Sequence, residues 1–141
     1  MANCKEIVSV ILTIFLIEDI ILTCEASLVT IEIRNNMGDK SDVSIHCYGN
    51  GRDYGSQLLT ASAPLYGWNF DSKLFKSPKY YCDFKTKHGS GNYAVYDFKM
   101  NFRCHDACKW IAQENGLCLQ ENVVKHSSWC QNWKNPAFIV A

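Results

Sequence analysis

Apolar and polar residues alternate along most of this chain. In Leu28–Arg34 (LVTIEIR), Val29, Ile31 and Ile33 fall on one face, which is the period of a strand with one side buried. Asn35–Asp39 (NNMGD) then reads as a turn. In Val43–Tyr48 (VSIHCY), Val43, Ile45 and Cys47 point one way and Ser44, His46 and Tyr48 the other. Cys47 is therefore expected in the core. Gly49-Asn50-Gly51 breaks that strand. Gln57–Leu59 reads as a short strand. Tyr66, Trp68 and Phe70 share a face of the next, and Tyr80, Cys82 and Phe84 share a face of another. Thr86–Asn92 (TKHGSGN) reads as a polar, glycine-rich hairpin loop. Alternation resumes over Tyr93–Met100, placing Ala94, Tyr96, Phe98 and Met100 on one side. Cys108, Trp110 and Ala112 share a face ahead of Asn115-Gly116, a two-residue hairpin signal, and Leu117–Gln120 is the expected partner strand.

No stretch after Ala26 sustains a helical period. About seven or eight short strands predict an all-β fold, a small antiparallel β-sandwich stabilised by disulfides. The inward-type aromatics Trp68, Phe70, Tyr80, Phe84, Phe98 and Trp110 are expected in its core. The last twenty residues hold Trp129, Cys130, Trp133 and Phe138, too apolar for a free tail. Trp129 and Trp133 are expected to cover a sheet edge or to form a partner surface.

The N-terminus has a different character. Lys5 precedes an apolar run from Ile7 to Ile17, within the roughly 7–15 residues of a signal-peptide h-region. Glu18 and Asp19 interrupt it, and Cys24 and Ala26 stand like the small residues before a signal-peptidase cut. A spanning helix would need about 20 predominantly apolar residues, and an acid near its middle costs about 2.5–3.5 kcal/mol. Residues 1–26 are thus expected to be a cleaved signal peptide, 27–120 the folded domain, and 121–141 a C-terminal extension tethered by a disulfide. After cleavage no membrane insertion is expected.

Removing the leader changes the charge. The whole chain balances 14 basic against 14 acidic residues, and the leader takes Lys5 but also Glu6, Glu18, Asp19 and Glu25. Residues 27–141 therefore carry 13 bases and 10 acids, a mild excess of three positive charges. Lys73, Lys76, Lys79, Lys85 and Lys87 are only loosely grouped, which reads as a solvated face rather than a nucleic-acid surface. Cys4 and Cys24 leave with the leader. Cys47, Cys82, Cys104, Cys108, Cys118 and Cys130 remain, an even count that reads as a disulfide framework in a secreted chain. Six cysteines allow 15 pairings. No Asn-x-Ser/Thr triplet occurs, so no N-glycan is expected.

Taken in order, these features resemble the plant self-incompatibility S1 proteins and their S-protein homologues. Val29–Asn35 resembles the opening strand with its asparagine, and Ile45-His46-Cys47 the "HC" strand end. Asp53-Tyr54-Gly55 stands where an acidic run, a leucine and a glycine are usual. Trp68-Asn69-Phe70, Tyr81-Cys82-Asp83-Phe84 and Tyr93–Asp97 resemble the following aromatic strands. Cys104 with Cys108-Lys109-Trp110, then Glu114–Leu117, completes the set over residues 28–119. Arg52 and Tyr54 depart from the pattern, and Cys118 and Cys130 lie outside the four family cysteines. The resemblance implies a secreted binding protein without cofactor: a small signalling ligand for a transmembrane receptor on a target cell such as pollen. The founding members are stigma determinants that arrest self pollen through calcium signalling. A secreted defence or inhibitor protein is the alternative, and a monomer is expected.

Enzymatic chemistry finds little support. A ribonuclease needs two positioned imidazoles and a cation, whereas His46, His88, His105 and His126 lack a common motif. Cys104-His105-x-x-Cys108 is a short cluster, but structural zinc wants four ligands in two close pairs, and cysteines in an oxidising compartment are bridged. No metal is expected. The expected bridges are Cys47–Cys108 and Cys82–Cys104 across the sandwich, and Cys118–Cys130 pinning the tail. Loops are left for recognition. The candidates are Asn50, Arg52, Asp53 and Tyr54 in Gly49–Tyr54, and Lys87 and His88 in Thr86–Asn92.

Overall fold

The computed structural model describes residues 28–73, 76–121 and 128–137. The expected leader, His126 and Phe138 lie outside the described residues. Among the described residues, ten strands form two five-stranded sheets. The first sheet is ordered β4-β1-β7-β8-β9, from Leu65–Asp71, Leu28–Asn35, Ala107–Gln113, Gly116–Gln120 and Ser128–Asn132. The second is ordered β10-β6-β5-β2-β3, from Asn135–Pro136, Gly89–Tyr96, Tyr80–Thr86, Val43–Gly49 and Arg52–Leu59. One helical turn, α1 (Asn101–Cys104), precedes β7.

The sandwich follows from the alternation. Val29, Ile31 and Ile33 of β1, Val43, Ile45 and Cys47 of β2, Tyr80, Cys82 and Phe84 of β5, and Cys108, Trp110 and Ala112 of β7 are all buried. They meet between the sheets in one core with Leu117 and Leu119 of β8. Among the described residues every strand pair is antiparallel except β1 with β7, which is parallel. A period of two reports which face is buried and carries no information on strand direction, so this pair was not foreseeable.

Two β-bulges alter the expected facing. Tyr80 pairs with Tyr96 but Tyr81 with Ala94, leaving Val95 as the extra residue. Val95 and Tyr96 are consequently both buried, and Ala94 moves to the outer side, contrary to simple alternation. Strand β6 ends at Tyr96, where Asp97 accepts the Met100 N–H through Oδ1 at 2.9 Å and the chain turns into α1. Phe98, expected in the core, is 68% exposed for that reason. The second hairpin loop is also shorter than expected: β5 runs to Thr86 and β6 begins at Gly89.

Among the described residues the disulfides are Cys47–Cys82, Cys104–Cys108 and Cys118–Cys130. The third is as expected, and the first two correct the expected pairing. Cys47 and Cys82 face each other on adjacent strands β2 and β5, with Cα atoms 4.1 Å apart. Cys118 and Cys130 do the same on β8 and β9 at 4.0 Å. Each of these bridges therefore staples neighbours within one sheet, and none of the three crosses the sandwich. Cys104 instead closes the short run from α1 into β7.

The segment after Gln120 contributes β9 to the first sheet and β10 to the second. Between them Trp133 is 5% exposed, and its Nε1–H donates to the Gln113 and Glu114 carbonyls at 3.1 and 3.0 Å. It also packs on Phe84 and Tyr93. Trp133 thus joins both sheets where the chain passes between them, and Trp129 lies beside Trp110. Both tryptophans serve the fold.

Candidate recognition site

The two loops singled out by composition lie at opposite ends of the second sheet. Gly49 pairs with Tyr80 at one end of β2, and Val43 pairs with Thr86 at the other. Seven residues of strand at about 3.3 Å each put the ends roughly 20 Å apart. They do not form one site.

At the first end, Asn50 and Gly51 make a two-residue turn with φ of 50° and 74°, the left-handed pair that suits the twist of a hairpin. Asn50 Oδ1 accepts the Lys79 N–H at 3.2 Å. Arg52, Asp53 and Tyr54 are not in a loop, since they open β3. There Tyr54 and Gly55 together face Cys47 in a second bulge. Gly55 supplies φ of 74°, which an L side chain rarely adopts. Asp53 Oδ1 holds the bulge by accepting the Gly55 N–H at 2.7 Å and pairing with His46 Nε2 at 2.7 Å. The Gly55 amide and then His46 hold its carboxyl below the ordinary range. The bulge turns Tyr54 toward the gap between edge strands β3 and β4. Its ring stacks on Trp68 at 4.5 Å, and burial, then the bond to Tyr80, pushes its hydroxyl pKa up to about 12. Arg52 and Asp53 are exposed, and the Arg52 guanidinium lies 4.7 Å over the Tyr54 ring. Asp53-Tyr54-Gly55 is therefore a structural device on an edge strand, where bulges also discourage stray pairing.

The other end carries the loops 36–42, 60–64, 87–88 and 114–115. Asn35, buried at the end of β1, donates from Nδ2 to the Ser41 and Leu59 carbonyls, both at 2.9 Å, and accepts the Met37 N–H at 3.0 Å. Its own amide donates to Pro64 at 2.8 Å. Asp39 accepts from the Ser41 hydroxyl and amide at 2.6 and 3.0 Å, and meets His88 Nε2 at 2.8 Å. Glu114 accepts the Gly38 and Asp39 amides from 75–76 residues away. Four loops are tied into one surface by three polar side chains. His88 belongs to this brace, and Lys87 Nζ lies 3.8 Å from Asp39 Oδ2 while its side chain stays 73% exposed. Sequence reading missed Asp39 and Glu114. The local signal for Asp39 was an Asp two residues before Ser41 in a turn cluster, but Glu114 had none, because its partners are remote in sequence.

The bonds from Ser41, hydroxyl first and amide second, and then from His88, hold the Asp39 carboxyl far below its ordinary value. A depressed carboxylate stabilises the fold above its unfolded pKa of about 3.9, and that contribution is lost as pH falls through the folded value. Hence the stability difference between the protein and Asp39→Asn should be constant from pH 7 to about pH 4 and shrink below it. Urea titrations across that range check this. A difference that instead grows on acidification would contradict the assignment.

Imidazoles do not converge among the described residues. His46 is on the outer face of the second sheet against Asp53, His88 is at the braced end against Asp39, and His105 follows α1 at the opposite end. Cys104 and Cys108 are bonded to each other, so neither presents a thiolate to a metal.

Comparison with known proteins agrees with this architecture. Residues 30–133 match the sequence model of the family described as plant self-incompatibility protein S1. Among Arabidopsis thaliana proteins, S-protein homolog 18 is 29% identical over 119 residues, covering 81% of this chain and 84% of its own. S-protein homolog 19 is 25% identical over 114 residues, covering 79% and 81%. A solved chain described under self-incompatibility protein homologues, "a widespread family of small, highly stable, secreted proteins from plants", superposes with a TM-score of 0.54 at 14% identity, over 76% of this chain and 97% of that one. The matched region runs from β1 through β9, and three disulfides suit export to an oxidising compartment. The chain belongs to the plant self-incompatibility protein S1 family, whose members are secreted all-β proteins.

Proposed function

We propose that this protein is a secreted signalling ligand read by a receptor on the surface of another plant cell, and that it acts by binding rather than catalysis. In its sharpest form the reading is that of a stigma determinant that inhibits self pollen. The observation that carries it is the bracing of the four loops by Asn35, Asp39 and Glu114. A surface held rigid before contact loses little conformational entropy on binding, and a small scaffold with fixed loops is a common recognition device. The exposed Lys40 and Lys87 are the cations this surface offers a partner. The Asn50–Arg52 hairpin, at the far end, is the control.

Labelled protein applied to pollen-tube membranes should bind saturably. Lys40→Glu/Lys87→Glu should weaken that binding by about tenfold or more while melting cooperatively within a few degrees of the parent, the small cost of the exposed Lys87–Asp39 pair, and Arg52→Glu should leave binding intact. Loss with Arg52→Glu alone would move recognition to the other end. Absence of saturable binding to any plant membrane would end the ligand reading.

A further inference from the structure

The outer face of the second sheet carries two rows of side chains in register across four strands. One row is Asp53, Tyr48, Tyr81 and Ala94, and the next is Ser56, His46, Asp83 and Asn92. Four strands at about 4.8 Å spacing make the rows roughly 14 Å long. The Tyr48 and Tyr81 rings are near parallel, 28° apart with centroids at 6.0 Å, and the His46 ring is 5.7 Å from Tyr48. All three are half-buried, so each keeps ring surface toward solvent.

The polar groups are fixed in one direction. Asn92 Nδ2 donates both its hydrogens, to the Tyr48 hydroxyl at 2.9 Å and to Asp83 Oδ1 at 2.8 Å. That leaves the Asn92 side-chain Oδ1 and the second Asp83 oxygen as acceptors held in place beside the rings. Asp53 is oriented in turn by His46. The face therefore presents aromatic surface with a surplus of positioned acceptors. Neither row contains a lysine or arginine; Lys134 reaches the edge of the face, its ammonium donating to the Asn92 backbone carbonyl, and Lys85 stands in the following row with Ser44, Ser90 and the exposed Leu58.

We propose that this face is a binding site for a linear, uncharged polysaccharide. Pyranose rings have an apolar C–H face that packs on aromatic rings, and a rim of hydroxyl donors that suits fixed carboxylate and amide acceptors. The two carboxylates, without a cation in their rows, disfavour polyanionic chains by charge. The fully buried core of a protein interface is depleted of charged residues, whereas Asp53 and Asp83 stand in the same rows as these rings. Pre-positioned polar groups keep affinity because they need no reordering on binding. The site is separate from the braced loops, so its failure and that of the receptor reading are distinguishable.

Affinity electrophoresis tests it, with xyloglucan, mixed-linkage β-glucan or glucomannan in the gel and polygalacturonate as the anionic comparison. At least one neutral polymer should retard the protein, and polygalacturonate should not. Tyr48→Ala/Tyr81→Ala should abolish retardation, and Asn92→Ala should weaken it by about tenfold. Lys40→Glu/Lys87→Glu should leave it unchanged. Melting curves confirm that each variant is folded. Should the double variant melt early, Tyr81→Ser alone carries the comparison. No retardation by any neutral polymer, equal retardation of the tyrosine variants, or retardation by polygalacturonate alone would each overturn the proposal.

Discussion

Replacing both Cys47 and Cys82 by alanine should cost about 4 kcal/mol of stability, more than removing either other bridge. The two residues are 35 apart in sequence, against 12 for Cys118 and Cys130 and 4 for Cys104 and Cys108. A cross-link restricts the unfolded chain more when it closes a longer loop. The same relation gives about 3 kcal/mol for the second pair and about 2 kcal/mol for the third. At roughly 4–8 °C per kcal/mol for a domain near this size, loss of the first bridge should lower the melting temperature by about 15 °C or more. Double variants are required, because a single replacement leaves a free thiol. Calorimetry of the three double variants tests the order. A larger loss for Cys104→Ala/Cys108→Ala than for Cys47→Ala/Cys82→Ala would show that native-state contacts, not loop closure, dominate.

Trp110→Ala should be at least as damaging. Trp110 is fully buried in β7, at the centre of the first sheet. Its Nε1–H donates to the Val95 carbonyl at 2.9 Å. Val95 is the extra residue of the β5–β6 bulge, so the indole of one sheet satisfies a backbone group at an irregularity of the other. Truncation removes the ring, which costs about 3–5 kcal/mol in a core that relaxes only partly. It also deprives a buried carbonyl of its partner, for a further cost of about 1–3 kcal/mol. Trp110→Phe separates the two effects, since it keeps much of the volume and loses the donor. Urea denaturation should rank the alanine variant well below the phenylalanine variant. Equal losses would mean that the hydrogen bond, rather than the packing, dominates at this position.

Much of the fold was legible because strand alternation is local. Successive side chains of an extended chain point to opposite faces, so Val29, Ile31 and Ile33, or Cys108, Trp110 and Ala112, declare their buried side without knowledge of any neighbour. The same logic put His46 and Tyr48 outside. It failed where the chain departs from regular extension. The bulge at Val95 shifted Ala94 outward, and the turn after Tyr96 left Phe98 in solvent. The candidate site was less legible. Arg52, Asp53 and Tyr54 are polar or aromatic residues after a glycine turn, which is the composition of a loop. Their place in a bulged edge strand depends on pairing with β2. Lys87 was placed correctly at a hairpin tip, but the brace around it rests on Asp39 and Glu114, whose partners come from other loops.

The sequence alone determined the even set of six cysteines from Cys47 to Cys130, the strand-rich all-β class and the family. These are readable from spacing and period, which are properties of neighbouring residues. Only the tertiary structure decided which strands lie side by side. That choice set Cys47 against Cys82 rather than across the sandwich, and made β1 and β7 parallel. It also sent the two candidate loops to opposite ends, and brought Tyr48, Tyr81, Asp83 and Asn92 together on one face. The physical reason is common to all four. Strand adjacency is settled by burying the inward faces of the whole chain at once, so no local stretch of residues contains it.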